Sequence, residues 1–430
     1  MKRVSAQLET AFGVVAGSAV ASVLLTSLLL LMPIEAYAQE EVLPFLPDTS
    51  AVKDSLLNSP GIASALAKRD AQRERARGIQ AGHAEFTVRS NIQIRRAGLP
   101  EGRSAESMIS LERPLRLWGK SAQDTALALQ TETVAGIEYT DALHEASREL
   151  LKHWFVFLRA LADHRNAILN LEYIQQLQKQ VERRLQRGEL AQLDLTLAGA
   201  ELSRAEAMRN TTDAQLAGIR ATFGRRYPRI VLPASVPDLP MPPMPQGQET
   251  LRESFLTKNH ELNLLRAETR RLQLLAQRLN LERTPDPTVG LYAATERGGA
   301  EQVSGISLSF PIAGPARAAN ARMAIAEAQS LEAHVQQVEQ TLAGGFDALW
   351  AQMMNKRSAA QNLSQAAKQQ FAAAEKSRKA FTLGEYTLTQ TLQVNRTASE
   401  YRHSAQTIQL EVVELVALLW LDLHEIWDLD

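Results

Sequence analysis

Eight histidines are the side chains best able to bind a transition metal or pass a proton near neutral pH. Three of them, His144, His153 and His164, share one stretch. Their spacings of 9 and 11 are not the i,i+4 step that brings two imidazoles to one helix face. They read as satisfied or solvent-facing histidines, and no metal site is expected. Asp422, His424, Glu425 and Asp428 could hold a cation loosely, and a frayed acidic chain end explains them too. There is no Gly-rich phosphate loop, no nucleophile elbow and no carboxylate pair in a catalytic setting. Cysteine is absent, which excludes disulfides and thiolate chemistry. Neither an enzyme nor a bound cofactor is expected, and a net charge of −1 gives no pull toward nucleic acid.

Function then has to come from shape, and the elements speak to that. The chain begins with Lys2 and Arg3, carries no charge over residues 10–34, and then reads Ala36-Tyr37-Ala38, a small-x-small cleavage site. Residues 1–38 are expected to be an export signal, with an uncleaved anchor as the alternative. Beyond residue 34 no run is long and apolar enough for a spanning helix, so any membrane crossing must use strands.

Two such strand pairs are readable. From 85 to 95, Phe86, Val88, Ile92 and Ile94 alternate with Glu85, Arg89, Asn91, Gln93 and Arg95, the period of a strand with one greasy and one wet face. After a Gly/Pro turn, a second strand runs through Ile109 and Leu111 to Leu115. The pattern returns with Val289 and Leu291, a turn at Arg297-Gly298-Gly299, and Ile306, Leu308, Phe310 and Ile312. Four strands are too few to close a barrel and leave two exposed edges, which predicts association with further chains.

Between and after the pairs lie long helical runs. Residues 119–187 contain no proline, and Leu151, Trp154, Leu158 and Leu161 step 3-4-3 like a coiled-coil seam. Gly188 interrupts that run and a return helix is expected over 190–223. The second half matches over 316–383, breaks at Gly384, and continues from 386 to about 427. Shorter helices are expected at 62–80 and 250–281. The halves are an internal repeat: Ser110 to Leu115 aligns with Ser307 to Ile312, and Gly188-Glu189 with Gly384-Glu385, at offsets of 197 and 196. The expected organisation is signal 1–38, extended segment 39–59, first repeat 60–227, Pro-rich connector 228–249 and second repeat 250–430.

The duplicated order, the run Leu111-Glu112-Arg113-Pro114-Leu115-Arg116-Leu117-Trp118-Gly119-Lys120 and the Gly-Glu tips resemble the TolC-like outer-membrane efflux proteins. The run at 111–120 is most similar to the branch serving heavy-metal and cation efflux. Its second-half counterpart, Pro311-Ile312-Ala313-Gly314-Pro315-Ala316-Arg317, lacks that branch's usual Arg-Asn pair.

The resemblance implies a mainly α fold with a small β part: a coiled-coil tunnel plus four transmembrane strands per chain that complete a 12-stranded barrel in a homotrimer. It implies an outer-membrane exit duct with a large periplasmic portion, fed by a periplasmic adaptor and, through it, an inner-membrane pump. Metal cations are among the substrates it suggests. A type I protein-secretion duct and a periplasmic coiled-coil scaffold are the alternatives. It further assigns adaptor docking to Gly188, Glu189, Leu190 and Ala191 and to Gly384, Glu385, Tyr386 and Thr387. A pore constriction would fall at Asp194, Gln390 and Gln393, of which only Asp194 is acidic. Arg183, Arg184, Arg187, Arg378 and Lys379 lie near enough to pair with Asp194, or they are solvated coiled-coil flanks. Trp118 is expected either to anchor the periplasmic rim of the barrel or to lie in the core.

Overall fold

Two helices of 67 and 69 residues set the dimensions, each about 100 Å long at 1.5 Å per residue. The structure, a computed structural model, describes residues 43, 45–82, 84–96, 98, 102–243 and 247–429. The expected export signal lies outside the described residues, and every element below belongs to the unit Phe45–Asp430.

Helix α1 (Thr49–Leu57) replaces part of the extended segment expected over 39–59. The Asp48 carboxylate accepts the Ser50 and Ala51 N–H groups, and Val52 and Leu56, one turn apart, are fully buried. Ser59 caps α2 (Pro60–Ala81), with Pro60 at the first helical position. Strands β1 (Thr87–Arg96) and β2 (Arg103–Pro114) follow. The long α3 (Lys120–Gln186) then runs away from the sheet and α4 (Gln192–Arg226) returns along it.

In the second repeat, α5 (Gln248–Lys258) and α6 (His260–Leu281) precede β3 (Thr288–Glu296) and β4 (Glu301–Ser309). One helix was expected over 250–281. Asn259 divides it, because its side chain accepts the Leu262 N–H at 2.9 Å and its backbone is extended. Helices α7 (Pro315–Leu383) and α8 (Leu388–Asp422) close the repeat. Against expectation, α8 is long and apolar enough to cross a membrane. Its greasy stretch is instead a packing surface: Val412, Val413, Val416 and Ala417 are fully buried within the chain.

The four strands form one antiparallel sheet in the order β1-β2-β3-β4. The β2–β3 pairing joins the two repeats, with Leu111 opposite Leu291. Below the sheet, α3 packs against α4 within its repeat and against α6 and α8 from the other. The seam Leu151, Trp154, Leu158 and Leu161 is buried, as are Ile174, Leu177 and Val181 further along α3. The connector is held on the helices of the second repeat, where Arg357 donates to the Pro242 carbonyl and Gln409 to that of Leu239.

Candidate functional site

The sheet is a wall with two unlike faces. Val88, Leu111, Leu291 and Ile306 form one row across all four strands, opposite one another in register and exposed by 66, 43, 59 and 74%. Ile92, Ile94, Ile109, Leu308 and Phe310 extend that row into an uncovered apolar face. The opposite face is polar. Arg95 pairs with Glu106 at 2.7 Å and reaches Glu296 at 3.5 Å, Gln93 donates to Glu106, and Arg89 faces Glu112 at 3.5 Å. Tyr292 lies across β4 only because residue 305 is glycine; a Cβ there would stand 2.6 Å from the phenol oxygen. Trp118, 95% exposed just past β2, is not a core residue.

At the far end of the long helices sit the two turns singled out in the sequence. Gly188 and Gly384 adopt φ of 74° and 84°, and each ends its helix in the same way. The Glu189 N–H returns to the Arg184 carbonyl and the Glu385 N–H to that of Ala380, both at 2.9 Å. A left-handed residue is needed to close this motif, and glycine adopts that conformation without a Cβ penalty. The turns lie side by side. Arg184 donates from Nη1 to the Phe381 carbonyl at 2.6 Å, and its guanidinium stands 4.9 Å over the Phe381 ring. Gly188, Glu189 and Ala191, like Gly384, Glu385, Tyr386 and Thr387, are exposed, while Leu190 is half-buried against Ile174, Leu177 and their neighbours.

Asp194 and Gln390 occupy the same place in the two repeats. Each is the third residue of its return helix and accepts a backbone N–H from the residue before the helix: Ala191 to Asp194 at 3.2 Å, Thr387 to Gln390 at 3.0 Å. Arg184 and Arg187, two of the expected partners of Asp194, pair instead with Glu189 at 3.0 and 3.1 Å, and Arg378 pairs with Glu375. Gln393 is exposed one turn further along α8.

Between sheet and helices lies an ionic joint that spacing alone did not reveal. Lys120, the last residue of the run 111–120 and 1% exposed, donates to the Thr284 carbonyl at 2.7 Å and to Asp286 at 2.9 Å, with Glu282 at 3.5 Å. Arg278 bonds both Asp124 and Glu282, and Arg317 reaches Glu282 at 3.0 Å. Burial works to raise the Asp286 carboxyl, but hydrogen bonds from Lys120 and the Leu117 N–H outweigh it and hold the group below its ordinary value. Glu282 is likewise held low, burial being outweighed by Arg278 and Lys120. The joint fixes the wall to helices of both repeats.

A further grouping joins residues that no spacing along the chain would associate. His144, His260 and His424 come together in space, from α3, α6 and the turn after α8.

No protein-family model and no curated protein sequence matches the chain. Solved structures do. The outer membrane protein VceC of Vibrio cholerae superposes with a TM-score of 0.71 at 14% identity, over 87% of this chain and 95% of that one. The outer-membrane channel OprN gives 0.73 at 16%, over 88% and 90%. CusC, whose structures concern folding and transmembrane channel formation, gives 0.69 at 15%, over 87% and 91%. The chain therefore has the fold of the TolC-like outer-membrane channels.

Proposed function

We propose that this chain is one third of the outer-membrane exit duct of a tripartite efflux system. The observation that carries the reading is the sheet: an uncovered apolar face, a charged opposite face, and open edges at β1 and β4. Within a hydrocarbon layer every backbone N–H and C=O must be paired, so an open sheet is stable there only if its edges meet other strands. Three chains supply twelve strands and close the ring, with the row Val88, Leu111, Leu291 and Ile306 facing lipid and the Arg95–Glu106 ladder facing the lumen. The helices then extend the duct about 100 Å into the periplasm.

The paired turns at Gly188 and Gly384 form the distal mouth, where a periplasmic adaptor docks on Glu189, Leu190 and Ala191 and on Glu385, Tyr386 and Thr387. The mouth is narrowest near Asp194, Gln390 and Gln393. The duct conducts passively, and an inner-membrane pump acting through the adaptor supplies energy and selects the substrate. Metal cations are one such cargo, on the likeness of residues 111–120 to the cation-efflux branch.

Fractionation of cells expressing the full chain tests the reading. The expected product is a heat-modifiable trimer in the outer membrane that forms ion-conducting pores in planar bilayers. A soluble periplasmic monomer without pore activity would refute it.

A further inference from the structure

His144, His260 and His424 offer ligand nitrogens that all lie within 4.8 Å of one another. The ring centroids are 4.7, 4.9 and 5.5 Å apart. All three rings are largely shielded, with His260 9% exposed and the side chains of His144 and His424 12 and 17%. Asp422 adds a carboxylate oxygen 3.2 Å from His144 Nε2 and is itself held by Arg148. Three imidazoles around zinc at about 2.0–2.1 Å would stand about 3.4 Å apart, so modest side-chain rotations close the set.

Backbone conformation supplies an independent observation. Helix α8 ends in the same motif as the two distal turns: the His424 N–H returns to the Leu421 carbonyl at 3.0 Å and the Glu425 N–H to that of Trp420 at 2.8 Å. The left-handed position is glycine at Gly188 and Gly384, but here it is His424, with φ of 59°. A side chain at that position costs free energy that glycine avoids. Charge agrees. The adjoining cleft of about 450 Å³ is lined by carboxylates of Asp141, Glu145, Glu261 and Asp422 against the cations Arg148 and Lys258. Burial, with the neighbouring Glu145, pushes the Asp141 carboxyl above its ordinary range.

We propose that His144, His260 and His424 form a structural Zn²⁺ site, with Asp422 as the fourth ligand. Imidazole donors favour Zn²⁺ over Mg²⁺ or Ca²⁺, which take oxygen ligands. A bound ion clips the middle of α3 in the first repeat to the start of α6 and the chain's C-terminal turn in the second. It is a resident ion of the wall, distinct from any transported cargo.

The test uses the full chain purified without a polyhistidine tag and stripped with chelator. Titration with Zn²⁺ is expected to show one tight site per chain and a higher Tm, and Co²⁺ should give the visible absorption bands of a tetrahedral site. His424→Gly puts the favoured residue at the left-handed position, so it should fold at least as well as the parent without metal. It should bind Zn²⁺ at least 100-fold more weakly and lose the Zn²⁺-dependent rise in Tm, and His144→Ala should lose both as well. No stoichiometric zinc in the parent, or equal binding by His424→Gly, would overturn the site and leave only a stack of histidines.

Discussion

The Arg184 guanidinium donates to the carbonyl of Phe381, joining the distal turn of one repeat to that of the other. The same side chain pairs with Glu189, so one residue restrains both hairpin ends. Ala380 occupies the position in the second repeat that corresponds to Arg184, so the clasp is single and directional. Three such clasps would surround the mouth of a trimer.

Replacing Arg184 with Ala frees the Phe381 carbonyl from the clasp and leaves Glu189 with Arg187 alone. Loss of a charged hydrogen bond at a largely buried side chain costs about 1–3 kcal/mol. The expected outcome is a several-fold rise in mean single-channel conductance of the isolated trimer. Unchanged conductance in planar bilayers would show that the clasp does not restrain the mouth.

Asp194 combines a cap with a charge, and two substitutions separate them. Asp194→Asn keeps an oxygen for the Ala191 N–H, so thermal stability should stay near that of the parent while cation-over-anion selectivity falls. Asp194→Ala removes both, and should also lower stability by about 0.3–1.5 kcal/mol. Reversal potentials measured in a salt gradient decide whether the charge faces the pore.

Lys120 is nearly inaccessible and compensates Asp286 and Glu282. Lys120→Met leaves Asp286 without its direct cation, while Glu282 keeps Arg278 and Arg317; breaking the ion pair of a lysine this deeply buried costs about 3–5 kcal/mol. A markedly lower Tm, measured by circular dichroism in detergent, is the expected outcome; a change within 1 °C would show that the joint carries no load.

The same joint sets an acid limit. Asp286 and Glu282 have folded-state values below their ordinary ones. Their contribution is complete above the unfolded values, about 3.9 for Asp and 4.3 for Glu, and is lost as pH falls through the lower folded values. The joint's contribution to Tm should therefore be complete above about pH 5 and be lost below it, with a shallower acid slope in Lys120→Met.

Ile306, 74% exposed in the row that faces lipid in the proposed barrel, tests which side of the wall is which. Ile306→Arg should cost about 2–4 kcal/mol in the bilayer and deplete the outer-membrane trimer. A charge added on the other face, as Gln93→Arg, should be tolerated and alter selectivity. Equal tolerance of both substitutions, read from trimer yield, would contradict the assignment of faces.

Features with a local signature were legible in the residues. The alternation Val88, Ile92, Ile94 is a period that only a strand gives, and it became β1 with its apolar side uncovered. The 196-residue offset between Gly188 and Gly384 anticipated two equivalent turns, because a left-handed helix end favours glycine. Features made by distant parts of the chain were not legible. Lys120 meets Asp286 across 166 residues, and the three histidines come from positions 144, 260 and 424, so no local spacing could connect them. The break at Asn259 was not legible for a different reason: neither Gly nor Pro marks it, and one side chain capturing the Leu262 N–H decides the matter. Asp194 read as a constriction residue within reach of nearby arginines, because its capping contact depends on geometry that appears only once the turn has formed.

The open edges of the sheet constrain how the molecule can be made. A solitary subunit entering the hydrocarbon layer would carry two rows of unpaired backbone groups, along β1 and along β4. It cannot lodge there first and find companions afterwards. If three chains close the barrel as proposed, insertion and closure have to be one concerted event, and the yield of trimer should rise more steeply than in proportion to the supply of chains. In that proposed assembly a subunit left outside the ring would be exposed to aggregation or proteolysis, so completion would act as its own quality control.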